Sequence, residues 1–337
     1  MNNNFKHIKP LPILKYSGSF PKKGDVETAK RHCYTIIKDI SVTGDAPKDI
    51  VRYYEYGKAL KRNYKKWPIY IAKLGHKYYP MESMTEQLIS DIGSSYGFNM
   101  ASSKVCWMGG QIRFLSLYFL DKTNEELYHG ANLYAGFLNN DDKFVDEIEN
   151  KRMSQDFFTI KFTKLVIEHF FPKESVELYR DFMRMLLFDS LVGNNDRHMY
   201  NWGVIKSIYG KQKPYYSPIY DSARGLLWNE QENKINEIIR DSNRQNSFVK
   251  KYCEKSRTKI GIENTGNVNH FDLLDKYKSF FKADELTQLI FDKKVLDDIV
   301  LMINTEYSKL FRENRRKLII DILVYRYNRI KNILNLP

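Results

Sequence analysis

Gly193-Asn194-Asn195-Asp196-Arg197-His198-Met199-Tyr200-Asn201-Trp202-Gly203 follows an apolar run, Phe182 to Val192. It precedes a second stretch, Pro218-Ile219-Tyr220-Asp221-Ser222-Ala223-Arg224-Gly225. Within residues 174–192, Phe182, Met185, Leu186 and Leu191 fall at helical spacings with Gly193 at the end, which predicts a core helix whose apolar stripe is packing. The loop after it carries one carboxylate, Asp196, and a side-chain amide five residues on, Asn201; a further carboxylate, Asp221, sits in the second stretch. Asn-Asn-Asp by itself is ordinary turn chemistry. The helix before the loop and the Tyr-Asp after it are what make the spacing informative.

An Asp followed five residues later by an Asn is the spacing of a protein-kinase catalytic loop. In that chemistry the Asp takes the proton of the acceptor hydroxyl, and the Asn and a later Asp hold magnesium against the nucleotide phosphates. Magnesium takes hard oxygen ligands, usually one or two from the protein. Asn201 and Asp221 supply such oxygens, which leaves Asp196 as the base. The opposite wall of such a cleft needs a cation. Lys73 stands in Trp67-Pro68-Ile69-Tyr70-Ile71-Ala72-Lys73-Leu74-Gly75, where Ile69, Ile71 and Lys73 share one face of a strand. Glu86 opens an amphipathic run to Gly93 that predicts a helix, with Thr85 as its cap. A helix Glu paired to the strand Lys aims it at the phosphates. The alternatives are a solvated edge lysine and a first-turn glutamate that suits the helix dipole, with Glu82 competing for the pairing.

The order Lys73, Glu86, Gly-Asn-Asn-Asp-Arg-His-x-x-Asn-Trp at 193–202 and Pro-Ile-Tyr-Asp at 218–221 resembles the HipA-like serine/threonine kinases. The resemblance is strongest over 180–225, fair over 66–120 and weak elsewhere. It implies a two-lobed α+β protein-kinase-like fold, with a β-rich N-lobe over 1–121 and a mostly helical C-lobe over 122–337. It further implies ATP and magnesium as cofactors, and transfer of the γ-phosphoryl group to a Ser or Thr hydroxyl of a protein. These kinases carry a Ser-x-Ser-Gly phosphate loop ahead of the lysine, and Ser41-Val42-Thr43-Gly44 stands at a matching distance, with Thr43 in place of the second Ser. By the resemblance Ser41, Thr43 and Gly44 bind phosphate, and phosphorylation of Thr43 would eject the loop and silence the enzyme. Glu55-Tyr56-Gly57-Lys58 is the competing loop. The chain resembles compact members that lack the extra N-terminal subdomain. The family includes the toxin of a toxin–antitoxin pair, which implies a toxin, a defence or regulatory kinase, or a secreted effector, among which the sequence does not choose. It also implies a protein substrate such as an aminoacyl-tRNA synthetase or another translation protein, and a small antitoxin partner.

Composition agrees with this frame. In 337 residues, 42% hydrophobic and 14% aromatic content describes a folded protein long enough for two lobes. No apolar run approaches the roughly 20 residues needed to span a bilayer, and the N-terminus lacks a signal-peptide core, so no membrane partner is expected. Three scattered cysteines, Cys33, Cys106 and Cys253, argue against a disulfide framework and for a reducing, cytoplasmic setting. The net charge of +13 suits an anionic substrate, an acidic partner or nucleic acid. The basic clusters Lys61-Arg62-x-x-Lys65-Lys66, Lys250–Lys259 and Arg315-Arg316-Lys317 match no nucleic-acid motif. Rival readings are nucleotidyl transfer or small-molecule phosphorylation on the same fold, and a non-catalytic basic nucleic-acid-binding protein. The joint presence of Lys73, Asp196, Asn201 and Asp221 argues against the last.

Along the chain, residues 1–65 mix helical and turn signals, and 66–121 predict strands and one helix. Gly109-Gly110 marks a hairpin between Lys104–Met108 and Ile112–Phe119. From 122 onward the pattern is helical, ending in a run over 314–334 with Leu318, Ile322 and Tyr325 on one face and Ile319, Leu323 and Ile330 beside it.

Overall fold

The computed structural model describes residues 21–38, 48–75 and 81–336. Ser41, Thr43 and Gly44 lie outside the described residues. The N-terminal part is built on five antiparallel strands, β1 (Tyr34–Ile37), β2 (Lys48–Tyr53), β3 (Ile69–Lys73), β4 (Ser103–Met108) and β5 (Gln111–Leu117), in the order β1-β2-β3-β5-β4. Strand alternation divides their side chains between two faces. Tyr70 and Ala72 of β3 pack on one face with Val51, Tyr53, Cys106 and Leu115. Lys73 therefore points to the other face, where the helix α1 (Glu82–Ser95) lies along β4 and β5. Met84, Leu88, Ile89 and Ile92, at helical spacing, are fully buried against the main core. Gly109 and Gly110 turn the β4–β5 hairpin with φ of 62° and 84°, a left-handed conformation that glycine adopts without a steric penalty.

Two expectations are corrected here. The described residues up to 65 hold, besides turns and short 3-10 helices, the strands β1 and β2, which the sequence did not predict: Lys48-Asp-Ile-Val-Arg-Tyr53 has too few apolar residues to declare itself, and its pairing with β3 decides the state. The helix carrying Glu86 begins at Glu82, one turn early, so Thr85 is a buried residue within it and not its cap. Burial of Met81 and Met84 extends the helix past the polar residue that seemed to start it.

The C-terminal part begins with β6 (Glu125–His129) and continues through α2 (Gly130–Phe137), α3 (Asp142–Asn150), α4 (Ser154–Phe157), α5 (Ile160–Phe170) and α6 (Ser175–Val192). Strands β7 (Gly203–Ser207) and β8 (Tyr215–Tyr216) then join β6 in a small sheet of order β6-β7-β8. This sheet interrupts a region read as helical, because β6 is short and half exposed and carries no clear alternation. Helices α7 (Glu232–Ile239), α8 (Ser242–Lys255), α9 (His270–Lys276), α10 (Lys278–Ala283), α11 (Glu285–Ile290), α12 (Lys293–Thr305) and α13 (Glu313–Ile333) complete the chain. The central element is α6, buried along Phe182, Met185, Leu186 and Leu191. Leu318, Ile319, Ile322, Leu323 and Ile330 of α13 pack in the same core. Among the described residues, no helix is long and apolar enough to cross a membrane.

Candidate active site

Strand β3 ends at Lys73 with its ammonium between two carboxylates. Nζ lies 2.9 Å from Glu86 Oε1 and 2.9 Å from Asp221 Oδ1. Glu86 arrives from α1 and Asp221 from the turn after β8, so three distant segments meet on one nitrogen. Glu82, the competitor for Lys73, faces Arg224 instead, at 4.0 Å. Phe114, directly across from Lys73 in the β3–β5 register, places its ring centroid 5.6 Å from Nζ. A small cavity behind the lysine is lined by Glu86, Phe114, Ser116, Ile219, Tyr220 and Asp221.

The charges are mutually adjusted. Burial by itself would push the Lys73 ammonium down, but the carboxylates of Asp221 and Glu86 hold it above its ordinary value. Burial would raise Asp221, and the adjacent Lys73 more than offsets that, bringing its carboxyl to about 2. Glu86 has only 5% of its side chain exposed, and burial pushes it up to about 7 against the pull of Lys73. Asp221 differs in keeping 41% of its side chain exposed. It is thus the carboxylate of the pair that remains accessible from the cleft.

The loop after α6 is held from beneath. Gly193 closes that helix at φ 68°, with the Arg326 guanidinium 2.7 Å from where a Cβ would stand; glycine is the residue that permits both. Asp189, on the last turn of α6, is 1% exposed. It receives Arg197 Nε at 2.9 Å and Arg197 Nη2 at 2.8 Å, a two-pronged pair, and also Asn194 Nδ2 at 2.9 Å. The same guanidinium donates to Asn201 O at 2.8 Å, Tyr220 O at 2.6 Å and Ser222 Oγ at 2.7 Å. One buried arginine thereby ties the loop to the residues on both sides of Asp221. Asp221 itself has φ 52°, a conformation that costs a non-glycine residue of order 1–3 kcal/mol and persists where the surroundings over-determine it. Arg197 provides that constraint.

Asn201 donates Nδ2 to the Asp196 carbonyl at 2.9 Å, which fixes the amide within the loop. The Asp196 carboxylate meets Arg224 Nε at 3.2 Å, and the Arg224 guanidinium lies 5.2 Å from the Trp228 ring. Tyr220 donates its hydroxyl proton to Tyr200 O at 2.9 Å, so His129, whose Nδ1 is 2.9 Å from that hydroxyl, is the donor to it. The His198 ring lies 6.1 Å from that of Tyr200, and its Nδ1 accepts the Tyr200 N–H at 3.3 Å. Asp221 and Asn201 offer one carboxylate and one amide oxygen, the hard donor set that suits magnesium. Among the described residues no group of three or more His, Cys, Asp or Glu side chains converges as a metal cage.

The structure therefore brings Lys73, Glu86 and Asp221 into contact and joins Asn201 to Asp196. Glu55-Tyr56-Gly57-Lys58, the competing phosphate loop, is placed elsewhere. It follows β2 at the end remote from Lys73, and Glu55 there binds Lys58 and Lys104 at 2.6 Å each. Lys48, the first described residue after the Ser41–Gly44 segment, pairs directly with Lys73 in the β2–β3 register. Sequence reasoning missed Arg197, Asp189 and Arg224. The signal for Arg197 was its place beside Asp196, but its partner lay a turn back in an apolar helix.

A β-rich region of antiparallel strands, a helix glutamate on a strand lysine, and helices supporting a loop opposite them define a kinase-like α+β fold. Residues 40–270 match the HipA-like C-terminal domain, and the chain belongs to that family. Among solved structures it is similar to the proinflammatory kinase CtkA of Helicobacter pylori, at 16% identity and a TM-score of 0.68, covering 92% of this chain and 97% of that one. It is also similar to HipA of Shewanella oneidensis MR-1, solved with HipB and operator DNA, at 13% identity and a TM-score of 0.47, covering 88% of this chain and 66% of that one. No protein of curated function matches the chain.

Proposed function

We propose that the protein is an ATP- and magnesium-dependent HipA-like kinase that transfers the γ-phosphoryl group to a Ser or Thr hydroxyl of a protein. The observation that carries this reading is the Lys73 ammonium shared at 2.9 Å between Glu86 and Asp221. A lysine locked by a helix glutamate is aimed into a cleft, and a partly exposed carboxylate beside it can take a metal.

The roles divide accordingly. Lys73 binds the nucleotide phosphates, and Glu86 holds its ammonium in place. Asp221 and Asn201 hold magnesium, which when bound would neutralise the phosphates facing it. The cluster has one ammonium for two carboxylates, so a cation at Asp221 leaves Lys73 free to turn from it toward phosphate. Asp196 accepts the proton of the acceptor hydroxyl, on the oxygen that Arg224 leaves open or after Arg224 swings off its carboxylate. Positioning and charge neutralisation supply most of the catalysis in such transfers. Ser41, Thr43 and Gly44 form the phosphate loop, a reading supported by the Lys48–Lys73 pairing that follows it. The N-lobe spans 1–121 and the C-lobe 122–337. A cytoplasmic toxin or regulatory kinase with a small antitoxin partner, acting on a translation protein, is the biological frame this family membership supports.

Incubation of the full chain with magnesium, cell extract and either γ- or α-labelled ATP tests the reaction. Label should pass to protein from the γ position alone. Transfer from the α position would replace this reading with nucleotidyl transfer, and no transfer from either position would remove it.

A further inference from the structure

The connection from β2 to β3 is a preformed basic and aromatic projection that the chemistry at Lys73 does not use. Residues 54–67, with three tyrosines and anchored by Trp67, carry five cations, Lys58, Lys61, Arg62, Lys65 and Lys66, against the single carboxylate of Glu55. All five cations are exposed. Glu55 is turned inward, bound by Lys58 and Lys104 at 2.6 Å and by the Tyr70 hydroxyl at 2.5 Å. Among the described residues no carboxylate pairs with Lys61, Arg62, Lys65 or Lys66.

The segment is rigid for a physical reason. Trp67 is 2% exposed and donates Nε1 to Leu60 O at 3.2 Å. The rings of Tyr54 and Tyr64 pack on it at 5.7 and 6.5 Å. Backbone bonds from Lys58 to Glu55, Asn63 to Leu60 and Lys66 to Asn63 close successive turns around that indole. The loop has thus spent its own aromatic anchor internally and holds its cations outward. At its tip Tyr56 is 95% exposed and Leu60 64% exposed, and Lys61 sits 5.9 Å from the Tyr54 ring centroid. One exposed aromatic face, that of Tyr56, among exposed cations suits a ligand with both flat bases and a chain of phosphates.

We infer that residues 54–67 form a docking site for single-stranded nucleic acid, with Lys61, Arg62, Lys65 and Lys66 along the phosphates and Tyr56 stacked on a base. The site lies at the end of β3 opposite Lys73, the two ends being the Arg52–Ile69 and Lys48–Lys73 pairs of the β2–β3 register. It can therefore be altered without touching the cleft.

The test is fluorescence anisotropy of the full chain with a labelled oligouridine of about fifteen nucleotides, over a salt series, with an oligoglutamate of matched charge as competitor. Four phosphate contacts predict a slope of log affinity on log salt of about −3, so affinity should fall about fifty-fold between roughly 50 and 200 mM salt. Charge reversal of Lys61, Arg62, Lys65 and Lys66 to Glu should abolish binding, while the thermal shift produced by magnesium and ATP stays as in the wild type. Tyr56→Ala should weaken oligouridine binding by about five- to a hundredfold with the salt slope unchanged. No binding by the wild type, or binding that survives the charge reversal, would overturn the proposal. So would oligoglutamate competing as well as oligouridine with Tyr56→Ala indifferent, which would make the site a protein-docking surface.

Discussion

Lys73 carries the account at the scale of single residues. Its ammonium is the shared partner of two carboxylates that play different parts, one buried and one open to the cleft. Lys73→Ala should therefore cost more activity than any change among Lys61, Lys65 and Lys66, which lie at the far end of the sheet. Glu86→Gln should cost less than Lys73→Ala, because it loosens the lysine without removing it. The two effects act through one contact, so the double variant should fall well short of their sum; a strictly additive cycle in kcat/KM would separate the residues. Asp196→Ala should lower kcat by roughly two to four orders of magnitude while ATP affinity is kept, since a base acts on the acceptor and not on the nucleotide. Near-normal turnover in that variant would return Asp196 to a loop acid paired with Arg224.

At the scale of elements, the junction of α6 with its loop is where stability and activity are joined. Arg197 is 2% exposed and binds Asp189 with two prongs. Arg197→Met leaves Asp189 charged and buried, which should cost about 3–5 kcal/mol in chemical denaturation. Adding Asp189→Leu removes the stranded charge and should restore part of that stability. Activity should stay lost, because the Arg197 bonds to the Tyr220 carbonyl and the Ser222 hydroxyl, on either side of the left-handed Asp221, are gone. Recovery of activity together with stability would show that the Asp221 conformation does not depend on Arg197.

His270, the first residue of α9, gives a pH test of the same region. It is 1% exposed, with Nδ1 3.4 Å from Ser190 Oγ of α6. Burial, aided by the nearby Arg326, holds its pKa well below the ordinary 6.5. Below 6.5 the unfolded chain takes up a proton that the folded one refuses, so stability falls as the pH drops through that range. Thermal melts between about pH 7.5 and pH 5 should show a steeper loss for the wild type than for His270→Gln. Parallel curves would mean that His270 protonates as readily in the folded chain.

The same junction shows what the sequence could and could not reveal. The helix ending at Gly193, the Gly109-Gly110 hairpin and the Lys73 strand were legible because each is written in local pattern: helical spacing, a turn dipeptide, alternation. Arg197 was not, since its meaning depends on Asp189, Tyr220 and Ser222 arriving from separate elements. β1, β2 and β6 escaped for a related reason. β2 and β6 are short, carry mixed residues and owe their extended state to pairing with neighbours, whereas β1, Tyr34-Thr-Ile-Ile37, has strand-forming residues but only four of them, too few to show an alternation.

Over the whole molecule, the sheet and helices serve to bring three remote segments onto one nitrogen and to hold a fourth, the Asp196–Asn201 loop, on a buried ion pair. The outer end of the sheet is left to a separate basic projection. In the proposed kinase reading, the Lys73–Glu86–Asp221 cluster is built to bind a nucleotide with its metal. Calorimetric titration of ATP into the full chain, with magnesium and with chelator, tests it most directly. The account predicts binding that depends on magnesium in the wild type, weakened most by Asp221→Ala, less by Asn201→Ala, and little by Asp196→Ala, since a carboxylate lost from the metal removes a full charge and an amide only a dipole. Absence of ATP binding, or unchanged magnesium dependence in Asp221→Ala, would contradict it.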